Sequence, residues 1–272
     1  MVAGLLNKIV ISSIILLFSF QNCFAIEFKG KFEQGSFILG KTEPRTKVYI
    51  DKKKVKVTKD GYFVFGIDRD RKNNIIIKTS REGKSKILEK KVFKRKYKIQ
   101  KIDGLPEKKV TPPKEVYERI KRENKLIGDA RAVESNLTFF TKKFINPLDE
   151  AIVTGVYGSQ RILNGKPKWP HYGVDFAASE GTKIKAMLDG TATMVEKDLF
   201  YTGGTLIFDH GHGISTLYMH LKDIYVKKGQ KVKQGEIIGT VGSTGRSTGP
   251  HLDVRLNWFN IRLDPATVLK LN

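Results

Sequence analysis

The 272 residues leave room for two modest domains, each large enough for its own core, and carry a formal net charge of +22. Cys23 is the only cysteine, so a chain processed after Ala25 has none. Disulfides, cysteine nucleophiles and thiolate metal sites are thereby excluded, and any metal must be held by His, Asp or Glu.

The charge is uneven: residues 26–150 hold 34 Lys and Arg against 18 Asp and Glu, whereas residues 151–272 hold 15 against 10. A basic N-terminal half suits a polyanion such as an anionic cell-envelope surface, or is simply a solvated basic face. Nucleic acid is excluded as a partner, because the chain reads as exported and contains no recognition motif.

In chain order, residues 1–25 read as a signal peptide. Lys8 supplies the positive end, Ile9 to Phe20 an apolar run and Cys23-Phe24-Ala25 the small residues of a cleavage site. The run is short against the roughly 20 residues of a membrane span. The expectation is export to the periplasm or cell envelope, with a retained anchor as the less favoured reading.

Residues 26–104 read as a small β-sandwich. Lys47–Ile50, Val55–Val57, Tyr62–Phe65 and Ile75–Ile77 are β-branched or aromatic runs separated by turn signals at Gly40, Pro44, Asp60-Gly61 and Asn73-Asn74. Asp60-Gly61 predicts a hairpin. The unit carries no catalytic constellation and reads as a spacer or binding module.

Residues 105–147 read as a linker. Leu105 to Pro113 is Pro-rich and predicts extended chain; Pro113 then opens a helix with Val116, Ile120, Ile127 and Ala130 near one face. That stripe predicts docking on a neighbouring domain. Phe139, Phe140 and Phe144 follow, and an aromatic segment so placed suggests occlusion of a groove in the next domain. Residues 148–272 are β-rich and heavy in glycine, with strands over Val153–Val156, Lys183–Met187, Thr191–Val195, Thr205–Phe208, Ser215–Met219 and Ile237–Val241. This density predicts a compact antiparallel barrel or folded sheet. The fold class is therefore mainly β. No stretch specifies an oligomeric state.

All five histidines, His171, His210, His212, His220 and His251, lie in the last 102 residues. Histidine binds transition metals and moves protons near neutral pH, which places the chemistry in the C-terminal domain. His171 and Asp175 flank Gly173, so their spacing belongs to a turn or bulge rather than a helix; a structural histidine capped by a carboxylate is an equal reading. His251 and Asp253 are two residues apart on a strand and face the same way, roughly 6–7 Å apart. Tyr218 and His220 share that alternation. His210-Gly-His212 reads as a tight turn between strands ending at Phe208 and starting at Ser215, where histidines fix loops more often than they bind metal. Gly242 to Gly249 reads as a hairpin leading into the His251 strand, since it lacks the ending of a phosphate loop.

In order, Tyr157-Gly-Ser-Gln-Arg161, His171-x-Gly-x-Asp175, Asp209-His-Gly, Tyr218-x-His220-Leu and Thr248-Gly-Pro-His251-Leu-Asp253 resemble the lysostaphin-type (LytM-like) zinc metallopeptidases over roughly Val153 to Pro265. The resemblance implies a LytM-like metallopeptidase domain that hydrolyses peptide bonds in bacterial peptidoglycan. It implies Zn2+ held by three protein ligands, His171 and Asp175 among them, with His220 and His251 as the two non-ligand histidines; beside these, Tyr218 is read as a further donor to the oxyanion. The family usually has a second His where this chain has Asp253. Asp can ligate zinc, but a His-Asp-Asp set is harder and more anionic, so Mn2+ would be tolerated and the bound water made less acidic.

Two other readings stay open. One is a catalytically inactive LytM-like module that binds peptidoglycan or activates another wall hydrolase, which the change at Asp253 favours. The other is a biotinyl- or lipoyl-type carrier, against which export and the histidine set both count.

Overall fold

A computed structural model describes residues 25–150 and 152–269; apart from Ala25, the signal peptide read at residues 1–25 lies outside the described residues. The β-branched and aromatic runs of the N-terminal part form two antiparallel sheets. The first comprises β1 (Glu27–Lys29), β2 (Phe37–Lys41) and β5 (Tyr62–Gly66); the second runs in the order β4 (Lys53–Val55), β3 (Lys47–Ile50), β6 (Ile75–Arg81), β7 (Lys84–Lys90). Alternation along β6 buries Ile75, Ile77 and Thr79 and leaves Ile76 and Lys78 outside, the period-2 pattern of a half-buried strand. The Asp60-Gly61 turn does not close a hairpin, because β4 and β5 belong to different sheets. It carries the chain from one sheet to the other. Gly61 is required there: its φ is +85°, and a Cβ would fall 1.8 Å from the carbonyl oxygen of Thr42.

β8 (Ile99–Ile102) leaves these sheets and pairs in parallel with β10 (Gln160–Leu163), which also pairs with β11 (Lys166–Pro167). The segment expected to be extended contains a single helical turn, α1 (Glu107–Val110), whose Val110 packs with Leu105 and Leu163. A 3-10 turn over Lys114–Val116 leads into α2 (Tyr117–Arg131). Ala130, Leu126 and Ile127 of α2 pack on Met194, Leu199, Ile207 and Leu217, so the apolar stripe docks on the C-terminal sheet.

That sheet has ten strands among the described residues. Its main path runs β17 (Lys231–Val232), β14 (Gly190–Leu199), β15 (Gly203–Gly211), β16 (Ile214–Ile224), β19 (His251–Trp258), β12 (Val174–Ala177), β9 (Ile152–Gly155). Off this path, β13 (Lys183–Lys185) pairs with β18 (Ile237–Val241), β18 with β16, and β20 (Ile261–Leu263) with β19. One apolar cluster joins this sheet to the N-terminal sheets: Phe37 meets Phe144 with ring centroids 6.1 Å apart, and Arg95 pairs with Asp264 at 2.7 Å. Phe140 and Phe144 are buried within that cluster, Phe144 against His210. These two rings are core residues. Burial of two large rings outweighs any exposed placement by about 2 kcal/mol each. No helix among the described residues is long and apolar enough to cross a membrane.

Candidate metal centre

β12 and β19 pair antiparallel with Asp175 directly opposite Asp253, which puts both carboxylates on one face of the sheet. His171 approaches from the segment before β12, tied by its backbone N–H to Ser159 and by its carbonyl to Gly158. One potential ligand atom from each of His171, Asp175 and Asp253 lies within 4.8 Å of the other two, and all three residues are buried. Nε2 of His171 is 3.1 Å from Oδ1 of Asp175, yet neither atom has a hydrogen-bond partner, and Nδ1 of His171 has none either. Two donor atoms on a tetrahedral zinc at about 2.0–2.1 Å stand about 3.3 Å apart, so the orphaned pair has the spacing of two lone pairs directed at one cation. Room for the carboxylates comes from two glycines. A Cβ on Gly155 would fall 2.2 Å from Oδ2 of Asp175, and one on Gly173 would fall 2.3 Å from Oδ1 of Asp253. These residues fit a divalent metal.

Each carboxylate is also gripped by an arginine. Nη2 of Arg161 donates to Oδ2 of Asp175 at 2.6 Å, while Arg255 donates to both oxygens of Asp253, at 3.2 and 2.9 Å. Burial alone would raise both carboxyls; the charges of His171 and Arg161 on Asp175, and of Arg255 and His171 on Asp253, override it and hold both below the usual carboxylate range. The ligand set is thus less anionic than its three names imply, since two guanidinium charges adjoin it. Arg255 was legible, because it continues the same-face alternation His251, Asp253, Arg255. Arg161 was not, because its pairing spans two strands that local pattern does not connect.

His220 and His251 lie beside this set, with ring centroids 4.7 Å apart. Nδ1–H of His220 donates to the carbonyl of Thr244 at 2.7 Å, and Nδ1 of His251 lies 2.8 Å from the carbonyl of Gly249 and 3.1 Å from Oγ of Ser247. The Gly242–Gly249 loop therefore orients both rings and leaves each Nε2 for chemistry. Burial, reinforced by His251, lowers His220 to about 4, so it is neutral near pH 7.

Tyr218 does not join them. Its hydroxyl is wholly buried and accepts a hydrogen bond from the backbone N–H of Met187 at 2.8 Å, and its ring packs on Phe208. The expected shared alternation of Tyr218 and His220 fails for a local reason. Met219, not Tyr218, pairs with Asp253, and the β15–β16 register shifts between Tyr218 and Leu221. His220 sits at that bulge with φ +65°, a conformation uncommon for a side chain with a Cβ. The bulge turns His220 onto the face of Asp253 and leaves Tyr218 on the core face.

Residues 169–265 match Peptidase family M23. The catalytic domain of the antimicrobial peptidase lysostaphin from Staphylococcus simulans is 34% identical, the match covering 43% of this chain and 90% of that one, with a TM-score of 0.39. Residues 169–265 form a domain of peptidase family M23. A candidate peptidase M23 from Pseudomonas aeruginosa shares the fold of the M23 chain described here at a TM-score of 0.68 and 26% identity, covering 88% of this chain and 95% of that one. The peptidoglycan DD-endopeptidase ShyA of Vibrio cholerae is 43% identical over 103 residues, 38% of this chain and 23% of that protein. The chain spans only about a fifth of the length of the first curated relatives it matches, at 21% and 23%.

The remaining two histidines of the M23 domain stand apart from the metal centre. His210 lies on β15 rather than in the turn, which is tighter than the sequence implied: His212 and Gly213 both have positive φ, the pattern of a two-residue hairpin turn. Its ring is buried between the carbonyl of Asp189 at 2.7 Å and Oγ1 of Thr216 at 2.8 Å. Burial lowers it from 6.5 to about 4. The unfolded chain therefore takes up this proton first as pH falls. The stability His210 contributes is complete above pH 6.5 and is lost as pH falls from there toward 4. Tm is expected to fall across that window, and to fall less steeply in His210→Gln; an unchanged slope in the variant would assign the loss elsewhere.

Proposed function

We propose that this chain is a metal-dependent endopeptidase that hydrolyses peptide bonds of bacterial peptidoglycan, exported to the periplasm or cell envelope. The carrying observation is the buried set of His171, Asp175 and Asp253, in which both His171 nitrogens and Oδ1 of Asp175 lack hydrogen-bond partners, beside two histidines whose Nδ1 atoms are fixed by backbone carbonyls. ShyA, named a peptidoglycan DD-endopeptidase, supplies the substrate class. His171, Asp175 and Asp253 would hold zinc, with manganese tolerated because two of the three ligands are carboxylates. When bound, the metal polarises the scissile carbonyl and makes a hydroxide nucleophile accessible near neutral pH.

The chain's own residues do the rest. His220, neutral and with its Nδ1–H committed to Thr244, presents Nε2 as the proton acceptor. His251, partly exposed and fixed at Nδ1 through Gly249 and Ser247, keeps its Nε2 side for stabilising the developing oxyanion. Trp169, 82% exposed two residues before His171, offers an apolar surface beside the site. Residues 26–104 serve as an accessory module, and their basic surface suits anionic envelope polymers.

The two-pronged hold of Arg255 on Asp253 favours a second reading, in which the domain is inactive and binds peptidoglycan or activates another hydrolase. Metal content and peptidoglycan cleavage, measured on one preparation, separate the two. About one zinc per chain with release of cross-linked fragments is the expected result. A protein prepared with zinc that neither retains it nor cleaves belongs to the second reading.

A further inference from the structure

Beyond the metal centre, the same sheet face carries arginines that no catalytic role uses. Arg255 follows Asp253 on β19 and lies opposite Leu217 of β16; Arg262 of β20 lies opposite Asn257 of β19. Leu217 is covered by Ala130 of α2, so the next residue, Arg131, is set over this part of the sheet. Arg131 is only 9% exposed, and its Nε and that of Arg262 are buried without a hydrogen-bond partner. Among the described residues, neither guanidinium enters an ion pair. The Arg262 guanidinium stacks over Tyr172 at 4.5 Å, immediately beside His171. Burial first, then the neighbouring charges of Arg262 and Arg255, lower Arg131 to about 10.

Arg131 and Arg262, unlike Arg255 with its Asp253 partner, are buried or half-buried cations without an ion pair, which is unfavourable. Here they persist beside the candidate metal centre, with Arg262 partly open to solvent. A planar guanidinium matches a carboxylate in geometry as well as charge. The Arg255 guanidinium lies on the Asp253 carboxylate at 3.2 and 2.9 Å, so this group of arginines adjoins the candidate metal centre.

We infer that Arg131 and Arg262, bordered by the Asp253-bound Arg255, form a carboxylate subsite that receives an acidic group of the peptide substrate close to the scissile bond. The inference rests on the hydrolase reading for the word substrate, but the subsite itself is measurable without turnover. It makes the domain selective for peptides with free carboxylates over their amidated counterparts. α2, which lies outside the matched M23 segment, thereby contributes a specificity residue.

The test is calorimetric binding to the metal-free full chain of a synthetic peptidoglycan stem peptide with its carboxylates free, and of the same peptide amidated. Wild type is expected to bind the free form at least about tenfold more tightly, the worth of one charge-assisted hydrogen bond. Arg131→Gln and Arg262→Gln should each lower affinity for the free peptide toward that of the amidated one and leave the amidated one unchanged. Should Arg131→Gln fail to fold, the partly exposed Arg262 decides. Equal affinity of wild type for both peptides, or an equal loss on both in Arg262→Gln, overturns the inference. So does inorganic phosphate displacing the free peptide at a comparable concentration, which would mark a general anion site. Cleavage of the cross-linked free peptide by zinc-loaded wild type is scored separately. No cleavage with the preference intact removes the hydrolase reading and leaves the subsite; cleavage without preference does the reverse.

Discussion

Asp253→Ala is expected to purify with almost no metal and to show no peptidoglycan cleavage above background. The argument starts from donor count. Removing Asp253 leaves His171 and Asp175, and two protein ligands fall short of the three that catalytic zinc sites use. Neither Gly173 nor Gly155, which line the carboxylates, nor the cation Arg255 can replace the lost oxygen. The same substitution strands Arg255, whose two hydrogen bonds go to Asp253. An abandoned charge at a largely buried position costs about 3 kcal/mol, so a fall in Tm should accompany the loss of metal. Asp253→Asn separates the two effects: the amide oxygen can still accept one bond from Arg255, while its weaker donation to metal should still empty the site. Metal content by elemental analysis, read beside Tm, checks both. Full zinc occupancy in Asp253→Ala would remove Asp253 from the ligand set and shift the weight to the inactive-module reading.

What the sequence disclosed here follows from the range of its patterns. His251 and Asp253 obey strand alternation, so their common face was legible, and a single strand pairing, Asp175 opposite Asp253, completes the set. The docking of α2 was legible from the stripe of Ile127 and Ala130 for the same reason: the period is local. Where a local irregularity resets the period, the reading failed. The bulge at His220 inverts one residue and so moved Tyr218 from the expected oxyanion site into the core. Gly61 supplies a turn but does not say which sheet receives the next strand. His210 was misplaced because His212 and Gly213 make the turn alone. The grip of Arg161 on Asp175 and the seating of α2 on the strands beside Arg255 join elements distant along the chain. No local spacing records either.

His220→Ala is expected to retain its metal and to lose turnover by about 10²- to 10⁴-fold, the usual worth of a positioned acid–base group. Retention follows from geometry: the proposed ligand atoms belong to His171, Asp175 and Asp253, and His220 holds on to Thr244 instead. Loss of turnover follows from the proton inventory. With Nδ1–H committed to a carbonyl and a pKa lowered to about 4, His220 remains an unprotonated acceptor through the neutral range. As pH falls through about 4 that acceptor is lost, so the acid limb of kcat that belongs to His220 lies well below the ordinary 6.5. In His220→Ala that limb should vanish from the residual rate, and KM should change little, because the role proposed for the ring is at the reacting water rather than in peptide binding. Metal loss in His220→Ala would instead make the bulge at residue 220 a structural support of the centre. Metal and turnover both preserved would transfer the proton-accepting role to His251, the other ring whose Nε2 is free.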